Sequence, residues 1–158
     1  MFRPMRRIKQ QISEEECIKI LKEEPRGVLS VLGDDGYPYG VPIDHYYDEK
    51  TGKIYFHCAK EGHKLDAIRR CDKVSLCVYN KGYQIPGEWP WHITSVIVFG
   101  RIREVTDPVI LEEKLRALGK KYIPTQEELE HEIANAMSRA SVLELTIEHM
   151  TGKEVKES

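Results

Sequence analysis

The 158-residue sequence lacks any apolar run approaching the about 20 residues that a membrane-spanning helix needs. It also lacks a C-x-x-C pair, since Cys17, Cys58, Cys71 and Cys77 are scattered along the chain. Basic charge is not in excess, because 24 Lys and Arg stand against 26 Asp and Glu. These absences argue against a membrane protein, a redox or zinc motif built on paired cysteines, and a protein that coats nucleic acid by bulk charge.

The segment Met1–Lys9 is basic, but no hydrophobic segment of the kind found in signal peptides follows it. We therefore expect a cytoplasmic protein whose cysteines stay reduced and mostly buried. A zinc site from His57, Cys58, His63 and Cys71 has no supporting ligand spacing, so we predict no metal site.

Composition indicates one folded domain. The hydrophobic fraction is 41% and the charged fraction 32%, and the length is close to the commonest size of a single domain. We expect one domain over residues 1–158, with an N-terminal arm at 1–12 and a frayed polar tail at 151–158.

Helix starts are marked by capping residues. Ser13 and Glu16 form a capping box, Asp107 precedes a first-turn proline, and Thr125 with Glu128 forms a second box. The spacing of Leu65 and Ile68 indicates a short helix opening at Gly62.

Six apolar or alternating segments are separated by turn residues, which is typical of antiparallel strands. They are Gly27–Leu32, Tyr37–Tyr47, Lys53–Ala59, Lys73–Tyr79, His92–Val105 and a final strand around Leu143–Ile147. The sequence thus predicts a mainly β protein with added helices, built as a six-stranded antiparallel barrel.

The segment Gly62-His63-Lys64 is the most informative for function. A strand ends just before it and a helix begins within it, so free backbone amides and the helix dipole favour an anion there. Lys64 would supply a point charge, His63 a donor, and Gly62 room for close approach of the backbone. An exposed helix start with solvated charges is the alternative reading.

Several motifs, in their order and spacing, resemble the split-barrel flavin-binding proteins related to pyridoxine 5'-phosphate oxidase, and among them the nitroimidazole-resistance (Nim-like) branch. The resemblance covers nearly the whole chain. The motifs are Met5–Arg7, Gly27–Leu32, Gly36–Pro42, Ile54–Leu65, Ser95–Arg101 and Ile147–Lys153.

This resemblance implies FMN held at the two-fold interface of a homodimer, with each site built from both chains. Gly62, His63 and Lys64 would hold the phosphate of FMN. The ring and ribityl contacts that the resemblance assigns fall on Val41, Pro42 and Ile43, on the backbone of Phe56 and His57, and on Thr94 and Ser95. Oxidation of pyridoxine phosphate is not favoured, because the oxidase closes its substrate phosphate site with an Arg and a His near the C-terminus, whereas this chain has Glu148-His149-Met150-Thr-Gly-Lys153 there.

Two further features keep alternatives open. His45 either donates a proton to a substrate above the flavin or is a packed strand histidine. The loop Trp89-Pro90-Trp91-His92 forms either an aromatic wall beside the ring or apolar cover at the dimer seam.

Four functions follow for testing. The first is an FMN-dependent oxidoreductase that reduces small electron-poor aromatics such as nitroimidazoles, with a small-molecule electron donor. The second is a non-catalytic flavin-binding protein or electron carrier. The third is a haem-binding split barrel with His45, His57 or His92 as axial ligand. The fourth is an interaction module with an empty pocket.

Overall fold

The computed structural model describes residues 1–156, which form one mainly antiparallel sheet with four α-helices. The helices are α1 (Glu14–Glu23), α2 (His63–Arg70), α3 (Pro108–Tyr122) and α4 (Gln126–Ala136). The strands are β1 (Arg26–Leu32), β2 (Pro38–Asp44), β3 (Tyr46–Asp48), β4 (Lys53–Ala59), β5 (Lys73–Tyr79), β6 (Tyr83–Gln84), β7 (Trp91–Glu104) and β8 (Ala140–Lys156). Within the described residues, no helix has the length and apolar character needed to cross a membrane.

The sheet curls into a barrel that is open along one line. Its strand order is β2-β1-β5-β7-β8-β4-β3, with β6 paired to β7. Every pairing is antiparallel, as predicted. Inward side chains such as Leu29, Leu76, Val98 and Leu145 form the main core, and α1 and α2 add Leu21 and Leu65 to it.

The helix starts match the capping predictions. The Ser13 hydroxyl accepts from the Glu16 amide while the Glu16 carboxylate accepts from the Ser13 amide. Asp107 accepts from the amide of Val109 ahead of α3, and Thr125 accepts from the amide of Glu128 ahead of α4.

The two outer sides of the barrel differ in whether helices pack on them. Helices α3 and α4 pack on the outer side of β4 and β8, where Tyr55, Val142 and Ala140 join the helical residues Leu115 and Leu129 in a second core. We call this the covered side.

On the outer side of β1, β5 and β7, large apolar residues stay exposed at the strand positions that alternate with core residues. They are Leu32, Tyr79, Ile97 and Phe99. The N-terminal arm covers only a corner of this face, where Phe2 stacks on Phe99 and His149. We call this outer surface the bare face.

Two boundaries differ from the sequence prediction. The single strand expected over Tyr37–Tyr47 is two strands, because the chain bends at His45 and β3 then pairs with β4 rather than β1. The frayed tail expected at 151–158 is wrong for 151–156, which pair with β7 in register from Thr151 opposite Ile97 to Lys156 opposite His92. Residues 157–158 lie outside the described residues.

Candidate functional site

A cleft of about 200 Å³ lies where the barrel is open, between β2 and β4. Tyr39 and Val41 line it from β2, Cys58 and Ala59 from β4, and residues 61–65 close one end. Among the described strands, β2 pairs only with β1, and β4 pairs with β3 only through its first three residues. The cleft therefore lies beside two strand edges whose backbone groups have no strand partner there.

The start of α2 lies at the end of this cleft. Gly62 is its N-cap with a φ of 134°, and no side chain caps the first-turn amides. A Cβ at Gly62 would meet no atom within 4 Å, so the backbone borders open space. Amides in this orientation and the helix dipole favour an anion.

The charged residues that line the cleft include one lysine, Lys64, and one carboxylate, Glu61. Lys64 has no carboxylate within 4.0 Å among the described residues, although the chain contains many ion pairs elsewhere. The His63 ring stacks on Tyr39 with ring centroids 4.3 Å apart, and its Nε2 is 3.7 Å from a carboxylate oxygen of Asp34. Asp34 is itself paired with Arg70 at 2.7 Å, so His63 is held at the rim mainly by Tyr39.

The thiol of Cys58 also faces the cleft. Burial raises the pKa of this thiol above its ordinary value, and the nearby charge of Lys64 only partly offsets the rise. Cys58 therefore remains a neutral thiol near pH 7 and lines the cleft as a small apolar side chain.

Four of the predicted site residues meet at the cleft: Val41, Gly62, His63 and Lys64. The side chain of Pro42 is exposed and that of Ile43 is buried in the core, so neither side chain lines the cleft. Phe56 is fully buried.

The exposed His57 side chain lies in a separate shallow depression, beside Glu132 and Arg139. The assignment of Phe56 and His57 concerns their backbone, which lies in the part of β4 that β3 does not cover. It stays a prediction.

Thr94 and Ser95 lie elsewhere, on β7, and within this chain β1 and β5 separate them from β2. The Thr94 amide donates to Asn80 Oδ1 at 3.0 Å, and Ser95 lies opposite Tyr79 on the bare face. One chain alone does not bring these two residues to its own cleft. Their predicted contact with the flavin therefore requires a second chain.

The position of His45 contradicts a role as proton donor to a substrate. Its side chain is 0% exposed and its Nε2 lies 2.7 Å from the carbonyl oxygen of Leu21. Burial, with the charge of Lys121, lowers the pKa of His45 to about 4. The packed-histidine alternative is the one that the structure supports.

Sequence reasoning missed five lining residues: Tyr39, Cys58, Ala59, Glu61 and Leu65. Tyr39 shared a period-two signal with Val41, two residues along the same strand, but nothing in the sequence indicated which side of β2 faces the opening.

A larger cavity of about 570 Å³ lies between α3 and the turn after β3, and all three carboxylates of its lining are paired with lysines of the same lining. Lys114 bonds to Asp48 at 3.2 Å and Lys22 to Glu49 at 2.8 Å. Residues 1–156 contain no group of three or more His, Cys, Asp and Glu side chains that could hold a metal ion. We therefore place the candidate site in the smaller cleft.

Comparison with known proteins agrees with this fold. A sequence model of the family described as pyridoxamine 5'-phosphate oxidase matches residues 13–154, so the chain belongs to this family. The resemblance inferred from the sequence is confirmed at the level of the family. No curated protein matches the chain.

Solved structures with this fold include a candidate 5-nitroimidazole antibiotic resistance protein from Bacteroides thetaiotaomicron. It is 18% identical, with a TM-score of 0.78 over 93% of this chain and 87% of that one. An FAD-binding protein from Mycobacterium smegmatis is 19% identical, with a TM-score of 0.68 over 94% and 99% of the two chains. A flavocytochrome from Azotobacter vinelandii is 20% identical, with a TM-score of 0.75 over 95% and 71%. These matches establish the split-barrel fold.

Proposed function

We propose that this protein is an FMN-binding oxidoreductase that works as a homodimer and reduces small electron-poor aromatics such as nitroimidazoles. One observation carries the proposal: an uncapped helix start with an unpaired lysine lies at the end of a cleft between two open strand edges. Phosphate binds well at such helix starts, while a flat ring fits between strand edges that offer amides and carbonyls.

The residues at the cleft suit the phosphate of FMN. Its charge of nearly −2 matches Lys64 and the first-turn amides of α2, and Gly62 leaves the approach free of a Cβ. FMN, when bound, supplies the electron transfer, and the chain supplies position and electrostatics. Val41 and Tyr39 would hold one edge of the ring system.

FMN is preferred to FAD because the end of the cleft at Lys64 and the start of α2 is where a terminal phosphate would lie. Lys64 and the amides of α2 close this end, and the cleft as it stands measures only about 200 Å³. The similar FAD-binding protein from M. smegmatis makes FAD the competing cofactor in the test.

The proposed substrate class rests on two observations. A candidate nitroimidazole resistance protein shares the fold, and the C-terminal strand has no arginine for a substrate phosphate, only Lys153 and Lys156. His149, the residue nearest to such a role, is stacked under Phe2 with ring centroids 4.8 Å apart. Oxidation of pyridoxine phosphate therefore remains disfavoured.

The homodimer is proposed from the bare face. Ile97 and Phe99 are each 40% exposed and Tyr79 is 55% exposed, on one continuous sheet surface. Apolar patches of this kind commonly mark protein interfaces. A partner packed there would bring Ser95 of one chain towards the cleft of the other.

Haem binding is the second candidate, because a flavocytochrome shares the fold. Two of its three candidate axial ligands are poorly placed, because His45 is buried and bonded to Leu21 and His92 is stacked on Tyr83 at 4.7 Å. Only His57 is exposed.

Titration of the purified protein with FMN, FAD and haem, followed by absorbance, tests the cofactor. We expect FMN to bind most tightly and Lys64→Ala to weaken it roughly 10- to 100-fold, because a charge-assisted phosphate contact is lost. Lys50→Ala, at an exposed lysine on a distant turn, is the control and should bind as the unaltered protein does. Unchanged affinity in Lys64→Ala would refute the phosphate assignment.

Anaerobic reduction followed by addition of a nitroimidazole separates the enzyme from a carrier. Faster reoxidation by the nitro compound than by buffer alone supports the oxidoreductase. Reoxidation that ignores the nitro compound would leave a flavin-binding or electron-carrier protein.

A further inference from the structure

The cavity of about 570 Å³ between α3 and the turn after β3 shares no lining residue with the cleft between β2 and β4. We call it the basic cavity. Its volume lies within the range of about 300–1,000 Å³ that small-molecule sites commonly have. Three carboxylates line it, against twice as many cationic side chains: Lys22, Lys50, Lys114, Arg116, Lys120 and Lys121.

The excess of positive charge does not come from the paired cations. Lys22 and Lys114 bond to the three carboxylates of the lining, and Arg116 is held by two glutamates outside it. Lys50, on the turn, and Lys120, on α3, are exposed and have no carboxylate within 4.0 Å among residues 1–156. These two lysines therefore face the cavity with their charge uncompensated.

Lys121 is a third lysine without a carboxylate partner among the described residues, and it is half-buried. Its Nζ donates at 2.8 Å to the carbonyl of Glu24 and at 2.9 Å to that of His45. Since an ammonium group has three hydrogens, one remains for a ligand in the cavity that Lys121 lines. Burial lowers the pKa of Lys121 to about 8, because the two carbonyls do not replace all of the hydration that the charge has lost. Such a cation gains from a nearby anion.

The sequence of α3 leaves room beside these lysines. Lys114, Ala117 and Lys121 follow one another at intervals of three and four residues, so they share the face of α3 that lines the cavity. Ala117 has the shortest side chain of the lining and leaves the middle of this face open. The half-buried Tyr46 of β3 adds an aromatic side chain to the same lining. The cavity thus offers cations together with an apolar floor.

We propose that the basic cavity binds a nucleotide-sized molecule with more than one phosphate group. Lys120 and Lys121 hold the phosphates, Lys50 adds to the balancing charge, and the organic part lies along Tyr46 and Ala117. Phosphate fits better than a carboxylate because each group carries nearly two negative charges and several acceptor oxygens. Three uncompensated lysines call for more than one such group. The site does not depend on the flavin proposed for the cleft.

Titration calorimetry with ADP is the first test. We expect one ADP to bind per chain and Lys120→Ala to weaken the binding roughly 5- to 10-fold, because a charge-assisted contact is lost. Lys73→Ala is the matched control, since Lys73 is an exposed lysine at the start of β5 outside the lining, and its affinity should not change. Absence of ADP binding at about 1 mM, or equal affinity in Lys120→Ala and the unaltered protein, would overturn the proposal.

Filling the cavity without altering its charge is the second test. Ala117→Leu keeps a good helix former at this position and occupies the open floor, so we expect it to weaken ADP binding at least about tenfold. Urea unfolding checks that the variant is folded. Unchanged affinity for ADP would mean that the anion lies on the outer surface of the lysines rather than in the cavity, and would overturn the proposed site.

Three further titrations separate the alternatives. Adenosine that binds as tightly as ADP would overturn the phosphate contacts, and pyrophosphate that binds as tightly as ADP would overturn the contacts to the organic part. Saturating FMN should leave the affinity for ADP unchanged, whereas displacement of ADP would mean that the two compete for one site and would overturn a separate cavity. Lys120 and Lys121 also lie in the last turn of α3, where cations balance the helix dipole. If that is their whole role, Lys120→Ala lowers stability and ADP does not bind at all.

Discussion

The two outer sides of the barrel show what a chain does with a sheet face that it covers itself and with one that it leaves open. On the covered side even a carboxylate is buried: Glu144 is 5% exposed and accepts from Lys53 Nζ at 2.9 Å, from the Tyr55 hydroxyl at 3.0 Å and from Arg103 at 2.9 Å. On the bare face, apolar side chains such as Ile97 and Tyr79 stay exposed, and Phe2 of the N-terminal arm covers only the corner at Phe99. The covered side is complete within one chain, whereas the bare face has the character of a surface that packs on another chain.

Shortening a side chain in the core of the covered side should lower the free energy of unfolding the most. Leu129 of α4 is 2% exposed, and Leu129→Ala leaves a cavity where α3 and α4 meet. We expect it to lower the free energy of unfolding by about 3 kcal/mol. Urea denaturation measures the loss, with the exposed residue change Val109→Ala as control. A loss below about 1 kcal/mol would show that the two helices are not an integral part of the fold.

A charge introduced on the bare face should weaken dimerisation and leave the fold intact. Ile97→Glu introduces a charge at the centre of the proposed interface, and we expect it to weaken dimerisation at least about 100-fold while unfolding changes little. Sedimentation compares it with Val109→Glu, an equally simple change at an exposed apolar residue on α3. Dimers that survive Ile97→Glu would place the interface elsewhere.

How far the sequence predicts these two sides depends on the range of the interactions. The helix starts at Ser13, Asp107 and Thr125 were predictable because capping uses residues at most three positions apart. The polar end of β8 was not, since residues 151–156 become a strand only by pairing with β7, about 60 residues earlier in the chain.

For the candidate site, too, the features set by local sequence were predictable and those set by distant contacts were not. Gly62–Lys64 were predictable from a local strand-to-helix pattern. The burial of His45 was not, because it depends on a bend that turns the side chain towards the carbonyl of Leu21 in α1. A one-residue shift in register would reverse which side chains of β2 face the core, and sequence alone does not fix it.

A buried polar cluster at the edge of the covered side adds a pH dependence. His45 has a pKa lowered to about 4 by burial and by the charge of Lys121, and Lys121 and Tyr122 both donate to the carbonyl of His45. In the unfolded chain the pKa of histidine is about 6.5, so between pH 6.5 and 4 the unfolded state binds a proton that the folded state does not. Lowering the pH through this window therefore destabilises the fold.

At pH 5 this effect amounts to about 2 kcal/mol relative to pH 7. Unfolding by urea at pH 7, 6 and 5 measures it. His45→Gln removes the titrating group, so the stability of this variant should vary less with pH between 7 and 5, whatever its stability at pH 7. Parallel curves for the two proteins would mean that His45 has the same pKa in the folded protein as in the unfolded chain.

The smallest expected effect is the loss of one tyrosine hydroxyl, which can be compared between the covered side and the bare face. Tyr55→Phe removes a hydrogen bond to the buried Glu144, and because Lys53 and Arg103 remain, we expect a loss of about 1 kcal/mol in the free energy of unfolding. Tyr79→Phe removes an exposed hydroxyl from the bare face and should change stability by less than about 0.5 kcal/mol. Thermal or urea unfolding of both variants decides the comparison. An equal loss in the two would mean that the polar groups of the bare face are as fully engaged as those beneath α3 and α4, and therefore that the bare face is already covered.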